Sequence, residues 1–251
     1  MRYRELALLA ALMSGVGCAT YWNPATGQTE ALLITTPAEV SLGQSAAAQL
    51  QHQLASRPPP PPALVQRVQA IGPRIAVVAD RQDITYRFHV INDRAVNAFT
   101  MLGGDIYVYA GLVERASDDE LACVLAHEVG HAVARHGAKA LQAQWGYQLL
   151  MDMAFRGQAS SATQVANAAV TLVSRGFSRG DELQADRLAV RYAARAGFRP
   201  QGMITFLQTL QQAHGGGPAD AAMVYWRTHP LYQDRIAQVE QEIARQSGGR
   251  P

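Results

Sequence analysis

His127-Glu128-Val129-Gly130-His131 sets two histidines four residues apart, with a glutamate directly after the first. On an α-helix four residues turn the chain by about 400°, so the two imidazoles share one face, one turn apart. Two neutral imidazoles projected this way can hold one Zn²⁺, and the adjacent glutamate can polarise a metal-bound water. The value of the stretch depends on whether it lies inside a rigid helix and whether the chain supplies a third ligand.

The sequence around it predicts well-defined helix ends. Ser117 followed three residues later by Glu120 is a capping box, and Asp118 and Asp119 place negative charge at the positive end of the helix dipole. Arg135 and His136 sit near the other end, and Gly137 is the expected C-terminal cap. His127 and His131 therefore fall mid-helix. Cys123, among Leu121, Val124 and Leu125, reads as a small core residue rather than a ligand.

Upstream, Ile84, Tyr86, Phe88 and Val90 alternate with Thr85, Arg87, His89 and Ile91, the period of a half-buried strand that leaves His89 solvated. Asn97-Ala98-Phe99 and Asp105 to Ala110 read as two short strands joined by a turn at Gly103-Gly104. Before them, helices are expected over Pro37 to about Ser56 and Ala63 to about Val78, the second with a kink at Gly72-Pro73. Five prolines, Pro58 to Pro62, form a stiff corner between the two. Downstream, residues 139–176 read as two amphipathic, alanine-rich helices able to form a lid. Further helices run from near Ser178 or Asp181 to before Gly197, from Pro200 to about His214, and from Leu231 to Gln246, with a flexible break at Gly215 to Pro218. The fold class is α+β, mainly α-helical, with a small sheet beside the motif helix.

A chain of 251 residues with 48% apolar content holds one well-buried domain. Net charge is +2 with scattered basic residues, which gives no basis for nucleic-acid binding. Arg2 and Arg4 followed by an apolar stretch from Leu6 to Val16 form an export signal too short to span a bilayer. Cys18, after Gly15-Val16-Gly17, has the position of a bacterial lipidation site; ordinary cleavage near Ala19 and an uncleaved anchor are the alternatives. Residues 1–18 are thus a signal segment, 19–36 a tether or wrapping segment without clear periodicity, 37–246 the folded domain and 247–251 a tail.

A catalytic zinc site takes three protein ligands. His136 lies five residues past His131, about 140° away around a continuing helix, and is set aside as a ligand. Glu182-Leu183-Gln184-Ala185-Asp186 offers two carboxylates on one helical face. One can bind metal while the other accepts a hydrogen bond from a ligand histidine, and the small Ala185 lets two helices approach closely.

Taken together, His127 to His136, Glu182 to Asp186, Thr228-His229-Pro230, Arg235, and Asn97-Ala98-Phe99 with Gly103-Gly104 resemble the M48 zinc metallopeptidases, the family of CAAX prenyl protease 1 and HtpX, in the layout of their soluble periplasmic or lipoprotein members. The resemblance covers about residues 37–246 and implies a gluzincin-type fold. It implies zinc on His127, His131 and Glu182, with Glu128 as general base and Asp186 supporting a ligand histidine. His229 would hydrogen-bond the oxyanion or occupy the fourth zinc position in a latent form; without the resemblance it reads as a cap before Pro230. Arg235 would orient substrate or brace the Glu182 helix, and the edge at Asn97 and Ala98 would pair with an extended peptide. The implied activity is endopeptidase action on unfolded or misassembled envelope proteins, from a membrane lipid anchor at Cys18. A chaperone-like lipoprotein with latent activity is the alternative. Leu102 departs from the proline common before the family's glycines.

Overall fold

The computed structural model describes residues 19–143, 176–214, 219–230 and 234–248. Cys18 and the signal segment, the expected lid helices past residue 143, the glycine break at 215–218 and the end of the tail lie outside the described residues. The elements are β1 (Ala19–Asn23), β2 (Gln28–Leu32), α1 (Thr36–Leu54), α2 (Pro62–Val78), β3 (Arg87–Ile91), β4 (Ala98–Thr100), β5 (Asp105–Tyr109), α3 (Ala110–Arg115), α4 (Asp118–Val133), α5 (Arg179–Arg195), α6 (Gln201–His214), α7 (Ala219–Thr228) and α8 (Asp234–Gly248). This is a mainly α-helical α+β fold, as the sequence patterns predict.

The motif helix α4 is the core element. Every residue from Leu121 to Val133 is buried, which suits a segment apolar almost all round. Its capping box forms as expected: Glu120 N–H donates to Ser117 Oγ at 3.3 Å and Ser117 N–H to Glu120 Oε2 at 2.8 Å. Cys123 is fully buried, and burial pushes its thiol up to about 12. Around α4 pack Val68, Ile71 and Ile75 of α2, Leu188, Val190 and Tyr192 of α5, and Leu207 of α6.

The three-stranded sheet has the order β3-β5-β4, with β3 parallel and β4 antiparallel to β5, so β4 is an edge strand. The glycine turn before β5 forms with φ of 78° at Gly103 and 98° at Gly104. It also receives α1, because a Cβ on Gly43 would lie 1.8 Å from the Leu102 carbonyl oxygen. Pro73 sits inside α2 without ending it. His89 differs from the solvated reading: its Nε2 lies 2.8 Å from Asp105 Oδ1 and its ring stacks on Tyr107 at 4.6 Å.

Two further differences matter for the site. Residues 19–36, read as a tether or wrapping segment without clear periodicity, contain the antiparallel hairpin β1–β2, closed by a turn in which Gly27 N–H donates to Asn23 O at 2.8 Å. Unlike the stretch around β3, β1 and β2 show no clear apolar alternation. The hairpin docks on the end of α4, where Tyr21 Oη donates to Ala134 O at 3.2 Å.

The second difference is how α4 ends. The left-handed residue is Arg135, with φ of 56°, rather than Gly137, and helix resumes over 136–143. A non-glycine residue there costs about 1–3 kcal/mol. Arg135 is held by its own contacts: Nε donates to Glu39 Oε2 at 2.9 Å, Nη2 donates to Ile34 O at 3.0 Å, and the guanidinium lies 5.1 Å over the Tyr21 ring. Glu39 is shared with Arg81, whose Nη1 also takes up the helix-terminal carbonyl of Ala132 at 2.9 Å.

Candidate metal centre

α4 and α5 meet at Gly130 and Ala185. A Cβ on Gly130 would stand 3.1 Å from Ala185 O and 3.2 Å from Leu188 Cβ, so the small residues set the helix separation. α5 has its own capping box, Ser178 with Asp181, which fixes where its first turn starts. One turn later Glu182 and Asp186 face α4.

Four ligand atoms converge there, from His127, His131, Glu182 and His229, all within 4.8 Å of one another and all buried. His127 Nε2 lies 3.0 Å from His131 Nε2, 3.5 Å from Glu182 Oε2 and 3.4 Å from His229 Nδ1. Glu182 Oε1 lies 3.3 Å from His131 Nε2 and 3.2 Å from His229 Nδ1. Ligand atoms about 2.0–2.1 Å from a tetrahedral Zn²⁺ are separated by about 3.3–3.4 Å. Separations of 3.0–3.5 Å between these pairs suit a metal ion of that size. The tautomer of His229 suits it too: its Nε2–H donates to the Ala98 carbonyl at 3.2 Å, so Nδ1 turns a lone pair into the cluster.

Glu128, the candidate base, is fully buried, and neither carboxylate oxygen has a hydrogen-bond partner. Burial and the neighbouring Glu182 push its carboxyl above the ordinary range, against the pull of His229 and His127. His229 Nε2 is 3.3 Å from Glu128 Oε1.

His127 and His131 turn their other ring nitrogens to different supports. His127 Nδ1 faces Asp186 Oδ1 at 2.9 Å, and Asp186 takes two bonds from Arg235, from Nε and Nη2, each at 2.8 Å. Burial favours the neutral acid at Asp186, but Arg235 and His127 hold its pKa below the ordinary value. Arg235 Nη1 also reaches Glu182 Oε2 at 2.8 Å, so this arginine braces both carboxylates. His131 Nδ1 meets His136 Nδ1 at 2.8 Å. On a continuing helix His136 lies far from His131; the break at Arg135 brings it back, as a neighbour of His131 outside the four-atom cluster.

Ala98 lies in the edge strand β4 and Asn97 directly before it, and both make contacts of their own. Asn97 Oδ1 accepts from Thr228 Oγ1 at 3.2 Å, and its main-chain oxygen accepts from Tyr109 N–H at 2.9 Å. The residues not read from the sequence are Phe177, stacked on His131 at 4.1 Å, Tyr225, stacked on His229 at 4.7 Å, and Gln184, which faces His136. Phe177 and Gln184 lie beside the helix start expected near Ser178 and the Glu182–Asp186 pair; Tyr225 lies one helical turn before His229.

A family model described as Peptidase family M48 matches residues 62–243. The chain belongs to peptidase family M48. Among its relatives is the beta-barrel assembly-enhancing protease of Escherichia coli K12, 33% identical over 190 residues, which is 70% of this chain and 38% of that protein. The counterpart in Yersinia pestis is 31% identical, with the same coverage of both chains. The mitochondrial metalloendopeptidase OMA1 of Schizosaccharomyces pombe is 30% identical over 69% of this chain and 51% of its own length. The chain thus aligns with between about two fifths and a half of these relatives' length. The M48 match begins at Pro62, so the hairpin β1–β2 lies outside it.

Proposed function

We propose that this chain is a zinc-dependent endopeptidase with His127, His131 and Glu182 as the metal ligands. The carrying observation is the buried cluster of four ligand atoms within 4.8 Å of one another, beside the fully buried Glu128 carboxylate. When bound, zinc supplies Lewis acidity toward water and the scissile carbonyl. Glu128 accepts a proton from the attacking water and returns it to the leaving amine. Asp186 and Arg235 hold His127 and Glu182 in place. An extended peptide adds to β4, the sheet edge nearest the site, which orders its main chain without demanding a particular sequence.

His229 supports a resting form of the same enzyme. Its Nδ1 completes the cluster while its Nε2 occupies the Ala98 carbonyl, an acceptor on the edge strand that a substrate strand would use. Moving residues 228–230 frees the fourth position and that carbonyl together, after which His229 is available to the oxyanion. The same closure favours, as a second reading, a chaperone-like protein with latent activity. The names of the relatives and the signal-like N-terminus support an exported envelope protein, lipid-anchored through Cys18, acting on unfolded or misassembled envelope proteins. No helix among the described residues is long and apolar enough to cross a membrane.

The test is casein cleavage and zinc content of wild type against Glu128→Gln. Wild type is expected to carry one zinc per chain, and the variant to keep it while losing at least about 100-fold in rate. Wild type without zinc, or a variant that cleaves equally well, ends the enzyme reading. Full zinc occupancy in Glu182→Ala removes the third-ligand assignment alone.

A further inference from the structure

The groups behind His131 form a hydrogen-bond chain whose direction can be read link by link, starting far from the metal. Asn23, fully buried in the hairpin, accepts Ala25 N–H at its Oδ1 at 2.9 Å and donates from Nδ2 to Glu30 Oε1 at 2.7 Å. Those two partners fix which end of its amide is which. The same Nδ2 donates to Gln184 Oε1 at 3.2 Å. His136 Nε2 faces that oxygen at 3.2 Å and Asp181 Oδ1 at 3.4 Å. Both are acceptors, so His136 carries its proton on Nε2. In the neutral ring Nδ1 is then an acceptor, and the group 2.8 Å from it is His131 Nδ1. His131 therefore donates from Nδ1, leaving Nε2 with a bare lone pair toward His127, Glu182 and His229.

We propose that His136 is a positioning residue that sets the metal-binding tautomer of His131, and that the tautomer of His136 is set by two acceptors, Asp181 on α5 and Gln184, the latter held by Asn23 of the N-terminal hairpin. The usual support for a ligand histidine is a carboxylate, a carbonyl or water. Here a second imidazole does that work, and one of the two acceptors that orient it is held by β1–β2, outside the residues that match the family. The inference about metal affinity rests on the zinc reading above; the tautomer assignment does not.

Two measurements test it. In zinc-free, ¹⁵N-labelled protein, ring-nitrogen NMR is expected to find His131 in the Nδ1–H form and His136 in the Nε2–H form. A proton on His131 Nε2 with Nδ1 bare overturns the proposal whether or not the protein binds zinc. In chelator competition, His136→Phe, which cannot accept a hydrogen bond, is expected to lose about 10- to 100-fold in zinc affinity. His136→Gln, whose amide oxygen can accept from His131, is expected to stay close to wild type, and Asn23→Ala to fall between them. A folded His136→Phe with wild-type affinity, or equal losses for Phe and Gln, overturns it. Wild type that takes no zinc fails the metal reading instead, and the NMR result then decides this one.

Discussion

His127 and His131 leave one helix a turn apart and reach one cluster, yet they are supported by opposite chemistry. Behind His127 stands an ionic group: Asp186 gripped by two bonds from Arg235, which also holds Glu182, all with no solvent exposure. Behind His131 stands His136, then the two amides of Gln184 and Asn23, ending on Glu30 in a surface hairpin. The ionic support needs few groups but depends on all of them, because a buried charge that loses its partner is strongly destabilising. The relay buries little charge but needs several amides and rings in the right orientation. The first kind is made by α4, α5 and α8, inside the family-matched residues, and the second borrows its last links from β1–β2.

The largest test of this contrast is Arg235→Met. It leaves Glu182 and Asp186 buried without their guanidinium, and the expected loss is about 3–5 kcal/mol in urea unfolding of the zinc-free protein. A loss below about 1 kcal/mol would show that the ionic support is not structural. Next is Asp186→Asn, which keeps size and an acceptor but removes the charge. Zinc affinity by chelator competition is expected to fall about 10- to 100-fold. Unchanged affinity would mean that the charge behind His127 contributes nothing and that the two supports are equivalent.

The smallest effect is at the far end of the relay. Partly offset by burial, Lys139, Tyr21 and Asn23 lower the Glu30 carboxyl to about 2 from 4.5. A depressed carboxylate adds stability that is present above the unfolded value and is lost as pH falls through the folded one. Wild type should therefore exceed Glu30→Gln in stability above about pH 5, and the gap should close on approach to pH 2. A gap that stays constant or widens toward acid would contradict that assignment.

What the sequence revealed and what it hid follow the same division. Most of the ionic half was legible because it is written in four-residue steps, His127 to His131 and Glu182 to Asp186, the first on a helix with a readable cap at Ser117, while Arg235 came only from the family resemblance. The β4–β5 pair was legible from its glycine turn. The hairpin was not, since its strands lack a clear apolar alternation and Asn23 meets Gln184 across 161 residues. His136 was set aside on the assumption that the helix continues, and the residue that ends it is an arginine, not the glycine that would have announced the break. The approach of His229 depends on α7 delivering a residue 102 positions from His127, which only the family resemblance suggested.

The left-handed turn at Arg135 also bears on when the site becomes competent. Its stabilising partner Glu39 is 96 residues earlier in the chain, while the Gln184 that orients His136 is 48 residues later and Arg235 is later still. Contacts so distant in sequence close only after the intervening chain has been made and packed. A nascent chain can form α4, with both histidines in register, long before their rings are aimed. The centre is thus one of the last features to mature, and an unfinished copy would carry the motif without a competent cutting edge.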